Sequence, residues 1–189
     1  MTKALDFTSG YASRRPPMLG HNAVATSQPL AAQAGMKMLQ LGGNAVDAAI
    51  AAAMALTVVE PTGNGIGSDA FAIVWDGEKL HGLNASGRSP ASWHADLFAG
   101  KTAVPEIGWD AVTVPGAVSG WVALAERFGT LPLTTLAQPA IDYARNGFPV
   151  SPLIGHLWQR GYSKLKDQPG FSACFAPEGR APRVGEIFR

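Results

Sequence analysis

The chain has 189 residues, enough for one ordinary domain or a large piece of a bigger one. Fifteen Lys and Arg against fourteen Asp and Glu leave a net charge of +1 and no basic stripe, which argues against nucleic acid as a partner because phosphate binding needs clustered cations. The single Cys174 allows no intrachain disulfide and, without a nearby His pair, no zinc site, which points to a reducing compartment.

Only 15% of residues are charged, against about 25% in ordinary soluble domains. The fraction is lowest between Pro16 and Trp75, where Lys37, Asp47, Glu60 and Asp69 stand alone, so this stretch is expected to be mostly buried. Near the start, Asp6, Arg14 and Arg15 sit where a signal peptide would be apolar, and a cytoplasmic location is expected. The apolar run from Ala48 to Val59 is short of the ~20 residues that span a bilayer and is built from alanine, so it reads as a core helix and no membrane partner is expected.

Residues 1–22 are polar and expected to be loosely held, with order beginning near Ala23. Thr26 or Ser27 can cap a first helix, Pro29 suits its first turn, and Leu30, Ala34, Met38 and Leu41 recur on one face until Gly42 and Gly43 stop it. Asn44 caps a second helix with Asp47 three residues on, where a carboxylate favours the exposed amides. Alanines line nearly all its faces up to about Val58, so neighbouring backbones can approach closely, and Glu60 and Pro61 end it.

Gly63, Gly65 and Gly67 follow, then a strand from Ala70 to Trp75, a turn at Asp76 and Gly77, and a returning strand from Leu80 to Asn84. Val112 to Val114 reads as a short strand closed by Pro115 and Gly116. Val118, Trp121, Val122, Ala125 and Phe128 then form a helical stripe ending at Gly129. Pro139 is read as opening a helix that runs to Asn146, and Leu153 to Lys166 as one more. The class is α+β.

Two features invite chemistry. The alternating glycines let a backbone approach a ligand or form an anion nest, or they make a plain tight turn; their order, after a helix and before a strand, is not that of a nucleotide-binding loop. Arg88, between Gly87 and Ser89, is either a solvated loop residue or a fork that takes a carboxylate bidentately. His21, His81, His94 and His156 lack metal-ligand spacing and read as surface or core residues. Ser163 and Lys166 match a four-residue SxxK pattern without its companions, and Asn84 to Ser86 is a sequon that matters only after secretion. Removal of Met1 would expose Thr2, whose amine can serve as its own base, but it lies in the stretch expected to be least ordered.

The segments GGNAVDAAIAAAMALTVVEPTGNGIGSDAFAIVW (Gly42 to Trp75), LNASGRSPA (Leu83 to Ala91) and Val112 to Pro152, with the PEGRAPRVGEIFR tail, together strongly resemble the large-subunit core of the γ-glutamyltransferase family. The resemblance implies that residues 23–189 are the front portion of that subunit, part of an αββα N-terminal nucleophile hydrolase sandwich. It implies an enzyme in which a self-cleaved precursor exposes a threonine that attacks the γ-glutamyl amide of a glutathione-like donor, after which water or an amino acid takes the glutamyl group. No cofactor is implied. The family arginine that binds the donor's α-carboxylate falls on Arg88.

Two departures affect the donor. Ser68 and Asp69 stand where many members have a glycine run, and Ser89 where many have glutamate after the arginine. The LNASGR pattern resembles a signal-less branch that is also similar to cephalosporin acylases. The threonine and the oxyanion loop belong to a later segment, so this chain is expected to hold no catalytic residue, to need a partner bearing the threonine, and to be inactive alone. A glutaryl or cephalosporin acylase, or a non-catalytic relic acting through subunit association, are the alternatives, and homo-oligomerisation is left open.

Overall fold

The computed structural model describes residues 20–189; the loosely held stretch expected for residues 1–22 falls almost wholly outside them, as does Thr2. Pro29–Gln40 forms α1 and Ala45–Val59 forms α2. Gln28, not Thr26 or Ser27, caps α1, its side chain accepting from the Leu30 amide, while Ser27 donates its hydroxyl to Glu60 Oε2 at 2.7 Å. The buried stripe is therefore rotated from the expected one: Ala31, Ala34, Gly35 and Met38 face inward and Leu41 is exposed. Small residues hold that face because α2 lies so close that a Cβ on Gly35 would sit 3.0 Å from Ala48 O.

The alanines of α2 serve two neighbours. Ala48, Ala51, Ala52 and Ala55 are buried between α1 and α4, Leu133–Asn146, whereas Ala45 and Ala49 remain exposed. Helix α4 begins six residues before Pro139, which is interior to it and buried. An interior proline costs about 3 kcal/mol in a helix. Leu133, Leu136, Ala137 and Ala140 offset that by extending one apolar stripe across the proline into the core.

Strands β1, Ala70–Trp75, and β2, Leu80–Ala85, pair antiparallel from Ala70↔Ala85 to Trp75↔Leu80. The connection is a four-residue loop rather than a two-residue Asp-Gly turn, because Asp76 Oδ1 accepts from the Glu78 and Lys79 amides, each at 2.9 Å. One hairpin face, through Ala70, Leu83 and Ala85, rests on α3, Ala117–Phe128, where a Cβ on Gly120 would meet all three side chains. The other face carries Phe71, Ile73, Trp75 and Leu80, exposed by 68%, 81%, 61% and 68%. The expected burial of the low-charge stretch thus holds for α1 and α2 and fails at β1, which among the described residues has a layer beneath it and none above.

The α3 stripe is also rotated: Ala117, Gly120 and Trp121 are buried and Val118 is exposed. Val112 to Val114 is extended but forms no strand; its contact with the neighbouring chain is the single bond from Val114 N to Arg88 O at 2.9 Å. Further on, α5 spans Pro152–Leu165 and a short α6 spans Phe171–Phe175. The two-residue strands β3, Phe148–Pro149, and β4, Ile187–Phe188, bring the tail back onto Trp158, whose ring centroid lies 4.7 Å from that of Phe188. No helix of the described residues is long and apolar enough to cross a membrane.

Two cores result, one of Met38, Ile50, Met54, Trp121 and Leu136, the other of Val59, Phe148, Val150, Ile154 and Trp158. Between α2 and α3 sits a buried charge. Asp47 completes the capping box of α2 by accepting from Asn44 N at 2.9 Å, and it also accepts from Thr130 N at 3.1 Å, Thr130 Oγ1 at 2.5 Å and Leu131 N at 3.3 Å. It is 0% exposed. Burial pushes its carboxyl up, but the bonds from Thr130, Asn44 and Leu131 outweigh this and hold it below the usual range.

A carboxyl depressed in the folded state stabilises the fold above its unfolded pKa and loses that contribution as pH falls through the folded value. Asp47→Ala is expected to lower the unfolding free energy by about 2 to 4 kcal/mol at neutral pH. In urea titrations the gap between variant and parent should narrow below about pH 4; a gap unchanged down to pH 2 would show that the carboxylate's charge contributes nothing.

Candidate functional site

Arg88 lies three residues beyond the Ala70↔Ala85 rung, and its place is set by two glycines. Gly87 has φ +71°, and a Cβ there would lie 1.9 Å from Val114 O. Gly116, the N-cap of α3, would with a Cβ lie 2.2 Å from Ala85 O. Backbone thus crosses backbone with no side chain between, and the Arg88 carbonyl accepts from Val114 N. The guanidinium is left exposed, a rigid set of donors that pairs with a carboxylate in two parallel bonds.

The glycine segment arrives at the same end of the hairpin. Its last residues hold the start of α3, with Ser68 O accepting from Gly116 N at 3.2 Å and Ala117 N at 2.8 Å. Gly63, Gly65 and Gly67 all lie outside the left-handed region, so no alternating nest forms, and the segment is a run of turns closed by bonds such as Ser68 N to Gly65 O at 3.1 Å. Beneath it is a cavity of about 260 Å³ bounded by Ala49, Ala53, Gly65, Asp69 and Trp121. Arg88 is not among the residues that line it. The fold brings the arginine and the glycine segment to one edge without joining them in one pocket.

The remaining candidates separate cleanly. His81 bridges the hairpin tip to α3: Nε2 is 2.5 Å from Asp76 Oδ2 and Nδ1 is 2.8 Å from Arg127 Nη2. Arginine only donates, so Nδ1 accepts and the Nε2 proton goes to Asp76. The His81 contact, with the Lys79 and Glu78 amides, holds the Asp76 carboxyl far below the usual range. Ser163 donates to Gln159 O, as a helical serine does to its own backbone, and takes no part in a site with Lys166. Among the described residues no three His, Cys, Asp or Glu gather as a metal would require.

Gly87 and Gly116 are the positioning residues that reading the sequence missed. The signal was present in the pairs Gly-Arg and Pro-Gly, but nothing local says that the two loops cross. Gly87→Ala is expected to cost at least about 2 kcal/mol of stability, the left-handed penalty plus displacement of Val114. Gly82→Ala, a strand glycine with open space at its Cβ, should be neutral or slightly stabilising. Equal melting temperatures for the two variants would remove the crossing as a constraint on Arg88.

Known proteins resemble the chain in sequence and fold. The "glutathione hydrolase-like YwrD proenzyme" of Bacillus subtilis (strain 168) is 40% identical over 168 residues, 87% of this chain and 32% of the relative. Among solved structures, a cephalosporin acylase from Bacillus halodurans superposes with a TM-score of 0.85 at 50% identity, covering 100% of this chain and 37% of that one. The γ-glutamyltranspeptidase of Helicobacter pylori superposes equally well, at 0.85, with 29% identity over 92% of this chain and 52% of that one. The chain spans about a third of the length of the curated relatives it matches. Residues 31–189 match the family profile described as gamma-glutamyltranspeptidase. The chain therefore belongs to the γ-glutamyltranspeptidase family, whose α+β N-terminal nucleophile hydrolase fold it carries in part.

Proposed function

We propose that this chain provides the front portion of a γ-glutamyltransferase or glutathione hydrolase and that Arg88 receives the α-carboxylate of the γ-glutamyl donor. One observation carries the reading: an exposed guanidinium stands on a backbone pinned by Gly87 and Val114, at the hairpin end where the glycine segment also arrives. A bidentate pair there fixes the glutamyl group at its far end, so that its γ-carbonyl is presented to a nucleophile.

The nucleophile is a threonine contributed by a segment outside these 189 residues. Its hydroxyl adds to the γ-carbonyl, the amine of the donor's remainder leaves with a proton, and water or an amino acid then releases the glutamyl group from the ester. The bare face of Phe71, Ile73, Trp75 and Leu80 and the exposed Ala45 and Ala49 of α2 support a further layer contributed by that segment.

A second reading draws on the 50% identity to the Bacillus halodurans acylase. In it Arg88 takes the terminal carboxylate of a glutaryl side chain, which carries the same charge without the α-amino group. In an assembly with the partner segment, Arg88→Ala should raise KM for γ-glutamyl-p-nitroanilide by the equivalent of about 2 to 5 kcal/mol, the usual cost of leaving a buried carboxylate unpaired. An unchanged KM would remove Arg88 from the donor site. Higher kcat/KM for a glutaryl amide than for the γ-glutamyl anilide would favour the acylase.

A further inference from the structure

Helix α5 carries two glycines with opposite surroundings. A Cβ on Gly155 would lie 2.8 Å from Val184 Cγ2, so the returning tail excludes any side chain there. A Cβ on Gly161 would meet nothing within 4 Å. Packing does not account for Gly161, although a glycine inside a helix costs about 1 kcal/mol relative to alanine.

What Gly161 leaves open is the floor of a cleft between α5 and α6. Its volume is about 470 Å³, within the span of roughly 300 to 1,000 Å³ that holds small molecules. Leu157, Trp158 and Leu165 line it from α5, and Phe171 and Phe175 from α6. The Trp158 indole N–H is already donated to Phe175 O at 2.9 Å, so the aromatic wall asks for no polar partner. The only charged side chains among the lining residues are two cations, Arg160 and Lys164. Arg160 is exposed, and Lys164 holds Glu106 at 2.9 Å in a solvent-facing pair that another carboxylate can replace.

We propose that this cleft binds a monocarboxylate with an apolar body, the body lying over Gly161 against Leu157 and Phe171 and the carboxylate meeting Arg160 and Lys164. The like charge of Arg160 and Lys164 disfavours a cationic head in the same place. The proposal is independent of Arg88 and of the γ-glutamyl reading.

The test is calorimetric titration of the full chain with decanoate and, separately, with decyltrimethylammonium, which has the same tail and the opposite charge. Decanoate should bind at a single site and the cation at least about tenfold more weakly. Gly161→Leu, which places a better helix former in the cleft and whose Cβ meets no neighbour, should weaken decanoate at least about tenfold, and the surface change Arg160→Gln roughly fivefold. Absence of decanoate binding, equal binding of the cation, or an affinity untouched by Gly161→Leu would each overturn the proposal; the last would put the tail on the bare face of β1 instead.

Discussion

The carboxylate of Asp47 joins the two halves of the helical layer. A buried charge is tolerable only when hydrogen bonds replace the water it has lost, and here the replacements come from both sides: Asn44 at the head of α2, and Thr130 and Leu131 in the connection from α3 to α4. Asn44 reinforces the joint by donating Nδ2 to Phe128 O at 2.6 Å. Two glycines make room for it, since a Cβ on either Gly43 or Gly129 would lie 3.0 Å from an Asp47 oxygen. From this joint the geometry runs outward. It fixes α3 against α2; α3 presents Gly116 and Gly120 to β2; and β2 delivers Gly87 and Arg88 to the crossing with Val114.

Much of this frame is legible in the residues. Asn44 and Asp47 announce the start of α2, and the alternation in AFAIVW announces β1. What local pattern hides is the partner. Asp47 reads as an ordinary N-terminal carboxylate until Thr130, 83 residues away, is seen to share it. The stripes of α1 and α3 are each rotated because close backbone contact selects Gly35 and Gly120 over the larger residues that periodicity picks out. Pro139 reads as a helix start, and only the stripe from Leu133 to Ala140 shows why the helix runs through it. Two-residue strands such as β3 and β4 carry no periodic signal at all. Arg88 stands out in the LNASGR segment as a candidate, whereas the glycine segment beside it proves to be turns that secure α3.

The same frame is compatible with both of the proposed readings. The parts this chain contributes are positional: a helical layer closed by a buried charge, a hairpin laid upon it, and an arginine at the hairpin's end. In the role proposed for Arg88, such parts would fix where a carboxylate sits without dictating whether the rest of the acyl group is glutamyl or glutaryl. Among the described residues the apolar face over β1 and β2 is bare, the kind of surface that marks an interaction site.

The most direct measurement is hydrolysis of γ-glutamyl-p-nitroanilide by this chain alone and by the chain mixed with the downstream segment of its locus supplied as a second polypeptide. Release of nitroaniline only in the mixture is the expected result, with the threonine coming from the added segment. Turnover by the chain alone would contradict it and return attention to Thr2. Turnover in neither would count against the γ-glutamyltransferase reading and favour the acylase or a non-catalytic role.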